Sequence, residues 1–305
     1  MFASLAILTA AAQLNQVVIP LGKPPPQVEK PVAPLDVNGP LFGSACKDWD
    51  EWDKAAPPVR IHANTYLVGT CGISSILIAG TQGHVLIDGG TEADADLIAA
   101  NIRKLGFRLR DVKVILHSHE HIDHVGGIAR LQQLTGAKVY ASPVAAKVLT
   151  SGVASPDDPQ AGMQKPFPAA RIDRVIEDGG TVRLYDILLI ATATPGHTPG
   201  ALTWHWESCY AGICRSMVYA DSLTPVSRDD YRFVDHPAYL AAFRASIAKV
   251  AAFPCDILLT PHPSASDMVH RLLLAKVDGP NQCRDYAAAL TKRLDTRLAK
   301  EAASK

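Results

Sequence analysis

The run HSHEHIDH at residues 117–124 holds four of the chain's eleven histidines. A helix or strand gains nothing from collecting imidazoles, which pack poorly together and repel one another when protonated. Neutral nitrogen donors beside a carboxylate form a metal-binding set instead. Two further histidines follow strand-like runs: His197 in IATATPGHTPG and His262 in ILLTPHP. If those ends converge, His119, His121, His124, His197 and His262 with Asp123 offer five nitrogens and one carboxylate. That is too many for one tetrahedral zinc. A catalytic zinc takes three protein ligands and keeps a position for water, so six ligands suit two open sites. His119 and His121 point the same way in an extended segment and can bind one metal with His197. Asp123 and His124 are adjacent, where the chain must turn, and can bind a second metal with His262. His62, His205, His236 and His270 stand alone and read as ordinary surface or core residues.

The flanking sequence supplies elements to hold such a set. Strands are expected at RIHANTYLVG (60–69), ISSILIAG (73–80) and HVLID (84–88), with a turn at TQG. Residues 92–105 space their apolar side chains as a helix does, and Gly106 is placed to end it. VKVIL (112–116) is a continuous β-branched run, expected to be a strand buried on both faces, and it leads into the histidines. The second half repeats the scheme with RVIE, TVRLY, ILLIATATPG, ALTWHW and SMVYADS. A helix follows at about 237–252, then the strand DILLTPH and two closing helices. Strands followed by helices in each half suggest two sheets face to face with helices outside, an α/β four-layer αββα sandwich. Gly126 and Gly127 let the chain turn after the last ligand of the run, and the prolines and glycines around His197 fix its loop.

Composition narrows the partners. Net charge is zero, which gives no global electrostatic case for nucleic acid or an anionic membrane. No apolar run reaches the roughly 18 residues of a spanning helix. MFASLAILTAAAQLNQ resembles a secretory signal cleaved near Ala12, although it lacks Lys and Arg. Residues 1–19 are read as that signal, 20–41 as a proline-rich tether, and 42–305 as the folded domain. Proximity suggests the pairs Cys46–Cys71, Cys209–Cys214 and Cys255–Cys283, and an even cysteine count behind a signal suits a periplasmic or secreted protein. A serine-hydrolase elbow, a dinucleotide fingerprint and a Walker loop are all absent.

HEHIDH, GHTPG and TPHPSAS resemble the metallo-β-lactamase superfamily. GTCGISSILI, LIDGGTE, YADSLTP, CDILLTPHPSAS and the tail CRDYAAALTKRLDTRLAKE resemble its subclass B3 from about residue 42 onward. The resemblance implies two zinc ions per chain, one on His119, His121 and His197, the other on Asp123, His124 and His262, bridged by a hydroxide that Asp123 orients. It implies attack on the β-lactam amide of penicillins, cephalosporins and carbapenems, and with it antibiotic resistance. Ser222 and Thr224 match positions that approach the substrate carboxylate, Asp88 matches an aspartate that supports the site from behind, and the three cysteine pairs agree with bridges in parts of the subclass. Starting the motif at His117 would put His121 where the aspartate belongs, so His117 is a supporting or packing residue. The partners expected are small β-lactams alone, with no nucleic acid or membrane, and the chain is expected to be a monomer. Two rival readings remain: a glyoxalase II-like thioesterase or lactonase, which would use Asp221 as a bridging ligand, and a non-catalytic zinc-binding relative.

Overall fold

The computed structural model describes residues 39–303. The expected signal and most of the tether lie outside them. The first helix, α1 (Gly39–Cys46), opens three residues before the expected domain start at Phe42. Five strands follow: β1 (Val59–His62), β2 (Thr65–Leu67), β3 (Ile76–Gly80), β4 (Gly83–Ile87) and β5 (Val112–Leu116). The expected strand at 60–69 is therefore a tight hairpin, broken at Ala63, whose φ is 44°. A one-turn 3-10 segment (Glu92–Asp94) and α2 (Ala95–Lys104) stand between β4 and β5, and Gly106 follows with φ 82°.

After the histidine run come α3 (Ile122–Val125), α4 (Ile128–Thr135), β6 (Lys138–Ala141), α5 (Pro143–Ser151) and β7 (Ile172–Val175). Of these, the sequence reading assigned only the strand at β7. The ends of α5 are conventional: Ser142 caps it by accepting from the Ala145 N–H, Pro143 opens it, and Gly152 closes it with φ 70°. The second sheet is built from β8 (Thr181–Leu184), β9 (Ile187–Ala193), β10 (Leu202–Tyr210), β11 (Ile213–Tyr219) and β12 (Ile257–Leu259). The helices α6 (Pro237–Ala252), α7 (Met268–Leu273) and α8 (Gln282–Ala303) complete the described chain.

The strands form one seven-stranded sheet, β1 to β7 in order, and one five-stranded sheet in the order β12-β11-β10-β9-β8. Pairing is antiparallel from β1 to β4 and parallel from β4 to β7. Alternation along each strand divides its side chains between two cores. Ile76, Ile78, Val85, Ile87, Val114 and Leu116 of the first sheet meet Leu189, Ala191, Trp204, Met217, Tyr219 and Leu259 of the second. On the far side of the second sheet, Val218 and Leu258 pack against Phe243, Ile247 and Val250 of α6 and Leu290 and Leu294 of α8. On the first sheet, α4 packs on β5 and against α2. This is the αββα sandwich. β5 is buried except at Lys113, so both of its faces are covered where it delivers the chain to the histidines.

All six cysteines are bonded, as Cys46–Cys71, Cys209–Cys214 and Cys255–Cys283. Cys255–Cys283 ties the segment before β12 to the start of α8, and such a bridge typically contributes about 2–5 kcal/mol. Among the described residues, no helix is long and apolar enough to cross a membrane.

Candidate metal centre

His117 ends β5 fully buried. Its Nε2 accepts the Ser142 N–H at 3.0 Å, and its backbone carbonyl accepts the Trp204 indole N–H at 2.7 Å. Burial holds its imidazole down to about 4, so it is neutral. It fastens the end of β5 to α5 and β10, with Nε2 committed to that task. We expect His117→Ala to keep the full metal content while losing about 2–4 kcal/mol of stability, from the cavity and the unpaired Ser142 N–H. Metal analysis beside a denaturant titration checks this, and loss of a metal equivalent would show that the motif begins at His117.

Beyond His117 the chain is extended, and His119 and His121 present their rings to the same space. Ring centroids are 5.0 Å apart for His119 and His121, 4.9 Å for His119 and His197, and 4.8 Å for His121 and His197. One nitrogen of each can meet at a common centre, with all three within 4.8 Å of one another. The other nitrogens have partners behind them. His121 Nε2 is 2.9 Å from Asp158 Oδ2, and His197 Nδ1 is 3.0 Å from both the carbonyl and the hydroxyl of Thr224. His119 Nδ1 lies 2.9 Å from Asp221 Oδ1, outside hydrogen-bonding alignment, and 3.2 Å from Ser118 Oγ. His119 Nε2 is buried with no hydrogen-bond partner among the described residues. Such back partners fix the ring orientation of metal-binding histidines. Burial, followed by the neighbouring His121 and His119, pulls His197 down to about 3. Burial and the other imidazoles hold His119 well below its ordinary value. Metals take neutral imidazoles.

The second group is turned out by α3. His121 is extended at its start, and the single helical turn carries Asp123 and His124 to a different side. Asp123 Oδ2 lies 3.1 Å from His124 Nε2 and 3.3 Å from His262 Nε2, and the two imidazole nitrogens face each other at 3.4 Å. His262 Nδ1 is 2.9 Å from the Gly72 carbonyl, and Trp52 stacks on its ring at 6.2 Å. His124 Nδ1 is 3.4 Å from Asp88 Oδ2. Asp88 accepts the Ser118 N–H at 2.6 Å, the Ser118 hydroxyl at 2.7 Å and the Tyr219 hydroxyl at 2.6 Å. It therefore lies beside His124, on the side away from Asp123. Burial disfavours a charged His124, yet Asp123 and Asp88 outweigh it and raise the imidazole to about 10. The donor set of imidazole nitrogens and a carboxylate suits a divalent metal.

The remaining expected residues lie nearby. Ser222 Oγ is buried without a partner, and its carbonyl accepts the Tyr286 hydroxyl at 2.9 Å. Thr224 is already engaged at His197. Asp221 contacts His119 and belongs to neither of the ligand groups that close within 4.8 Å. Burial raises Asp221 to about 6, against the pull of His197. The sequence reading missed the segment between α5 and β7. There Asp158 reaches His121, Gln160 Nε2 comes within 3.5 Å of His197 Nε2, and Gln164 Oε1 accepts the Ile122 N–H at 2.9 Å. Prolines at 156 and 159 bracket the first of these and were the one available signal. Glu120 was missed as well. Burial raises it to about 7, opposed by hydrogen bonds from Thr198 and Gly200.

Buried histidines and a carboxylate that could hold a metal, at the strand ends of an αββα sandwich, are the arrangement of a metal-dependent hydrolase. The chain belongs to the metallo-beta-lactamase superfamily, whose family profile matches residues 68–262. Among solved structures, the MIM-2 metallo-beta-lactamase is 54% identical, with a TM-score of 0.83 over 87% of this chain and 98% of that one. MEM-A1, a subclass B3 metallo-beta-lactamase from a soil metagenome library, is 45% identical, with a TM-score of 0.80 over 84% of this chain and 100% of that one. A hydroxyacylglutathione hydrolase of Bradyrhizobium sp. is 27% identical over 70% of this chain and 73% of its own length.

Proposed function

We propose that this chain is a zinc-dependent β-lactamase that hydrolyses the amide of penicillins, cephalosporins and carbapenems, and so confers antibiotic resistance. The observation that carries this is the group His119–His121–His197 beside Asp123 and His124, which close with His119 within 4.8 Å and have His262 Nε2 3.3 and 3.4 Å away, on a chain with the likeness just described. Two zinc ions are proposed, one per group. Zinc, when bound, supplies Lewis acidity toward the amide carbonyl and makes water acidic enough to act as nucleophile at neutral pH. Asp123 orients the attacking water. Ser222 and Thr224 are the groups proposed for the substrate carboxylate. The Ser222 hydroxyl has no partner to give up, whereas that of Thr224 must be shared with His197. The three disulfides support export to the periplasm or beyond. We propose a monomer acting on small molecules.

The likeness to a hydroxyacylglutathione hydrolase keeps a thioesterase in view. That reading needs Asp221 between the metals, whereas Asp221 sits beside His119 Nδ1. One assay separates the two. Carbapenem and cephalosporin ring opening is followed by loss of ultraviolet absorbance, beside cleavage of a hydroxyacylglutathione thioester, each with and without added zinc. Zinc-dependent β-lactam turnover is the expected result. Thioester cleavage without β-lactam turnover refutes the proposal, and zinc uptake with neither activity points to a non-catalytic relative.

A further inference from the structure

We propose that Glu120 is a positioning residue that sets the three ligands of the first metal in place before the metal arrives. The inference rests on reading His119, His121 and His197 as those ligands. Glu120 lies between two of them, and in an extended segment its side chain points the opposite way. It is 1% exposed. Its Oε2 accepts the Thr198 hydroxyl at 2.8 Å and its Oε1 accepts the Gly200 N–H at 2.8 Å. Thr198 is the residue directly after His197. One carboxylate thus ties the segment with two ligands to the loop with the third. Other bonds hold this loop further along, from the Leu202 N–H to the Ser118 carbonyl and from the Ser142 hydroxyl to the Gly200 carbonyl. The Thr198 bond is the one next to the ligand itself.

Gly200 records the same contact. A Cβ there would lie 2.7 and 2.8 Å from the Glu120 carboxylate oxygens and 2.8 Å from the Ala145 nitrogen. The glycine that closes GHTPG is required because Glu120 packs against its Cα. Both carboxylate oxygens are spent on the loop, so Glu120 acts through His197. Both neighbours are donors, and an acceptor-only carboxylate satisfies them together. A glutamine could still do so: its oxygen would accept the Gly200 N–H, and its amide would donate to the Thr198 hydroxyl, which can also accept. Positioning therefore predicts rescue by Gln, and a role for the charge does not.

The test is a zinc titration against a chromophoric chelator with no substrate present. It uses the full chain carrying His262→Ala, so that the first site is read alone. In that background Glu120→Ala is expected to weaken zinc binding by about 10–100-fold, the usual cost of losing a partner behind a metal ligand. Glu120→Gln should stay close to the parent, and Thr198→Val should fall between. Unchanged affinity in Glu120→Ala overturns the proposal, as does a Gln variant as weak as the Ala variant. If Glu120→Ala shows no cooperative thermal transition, Thr198→Val decides: affinity equal to the parent overturns the proposal, and weaker binding supports it. The proposed activity is judged separately, by β-lactam turnover of the unmutated chain.

Discussion

Removing metal with a strong chelator should take the proposed β-lactam hydrolysis to background, a fall on the order of 10⁶-fold, and added zinc should restore it. The size of the effect follows from what the chain lacks. All six cysteines are in disulfides, so no thiolate is available. The hydroxyl of Ser222, the proposed substrate contact, has no hydrogen-bond partner to take its proton. In the proposed reaction the nucleophile is water, with a pKa near 15.7 in bulk against about 7 on a catalytic zinc. The scaffold should outlast the metal. The cluster is pinned from behind by Asp88, Asp158, Thr224 and the Gly72 carbonyl, and the cores around it are apolar. Circular dichroism of the chelated protein should therefore keep its strand and helix content while turnover is absent. Undiminished hydrolysis in excess chelator would contradict the metal reading outright.

The clustering of the proposed ligands was legible in the sequence because their spacing is local. An H-x-H pair in an extended segment puts two rings on one side, and the observed centroid separation of 5.0 Å follows from that alone. The change of side at His124 is equally local: one turn of helix begins at Ile122. His197 and His262 stood out because each follows a strand, β9 or β12, where loops build sites. The partners behind the ligands gave no such signal. Asp158 is 37 residues from His121, and Glu120 meets Thr198 across 78 residues. Each pairing exists only once two loops are packed, and no periodicity encodes it. The same holds for β6, whose four residues gain their role from lying between β5 and β7. The hairpin at Ala63 was hidden for the opposite reason. RIHANTYLVG is continuous in strand propensity, and alanine seldom adopts the positive φ found there.

His262→Ala should cost the second metal and spare both the first and the fold. His262 is the one ligand with appreciable access to solvent, its side chain 27% exposed where those of His124 and Asp123 are 0% and 5%. Truncating it loses the hydrogen bond to Gly72 and the Trp52 contact, which should cost about 1 kcal/mol and leave the fold intact. What remains of the second group is Asp123 and His124, two ligands where a catalytic zinc takes three. The loss in affinity should exceed the roughly 10–100-fold that even an outer partner costs. The first group keeps His119, His121 and His197 with their neighbours Ser118, Asp158 and Thr224, although His119 also lies within 4.8 Å of Asp123 and His124. A zinc titration of the variant should therefore show one site near the wild-type affinity and one lost, with the metal-free protein still unfolding in one cooperative transition. If both sites weaken together, the six ligands form one cooperative cluster and not two sets of three. If neither weakens, His262 is not a ligand, and the second metal must be held by other residues.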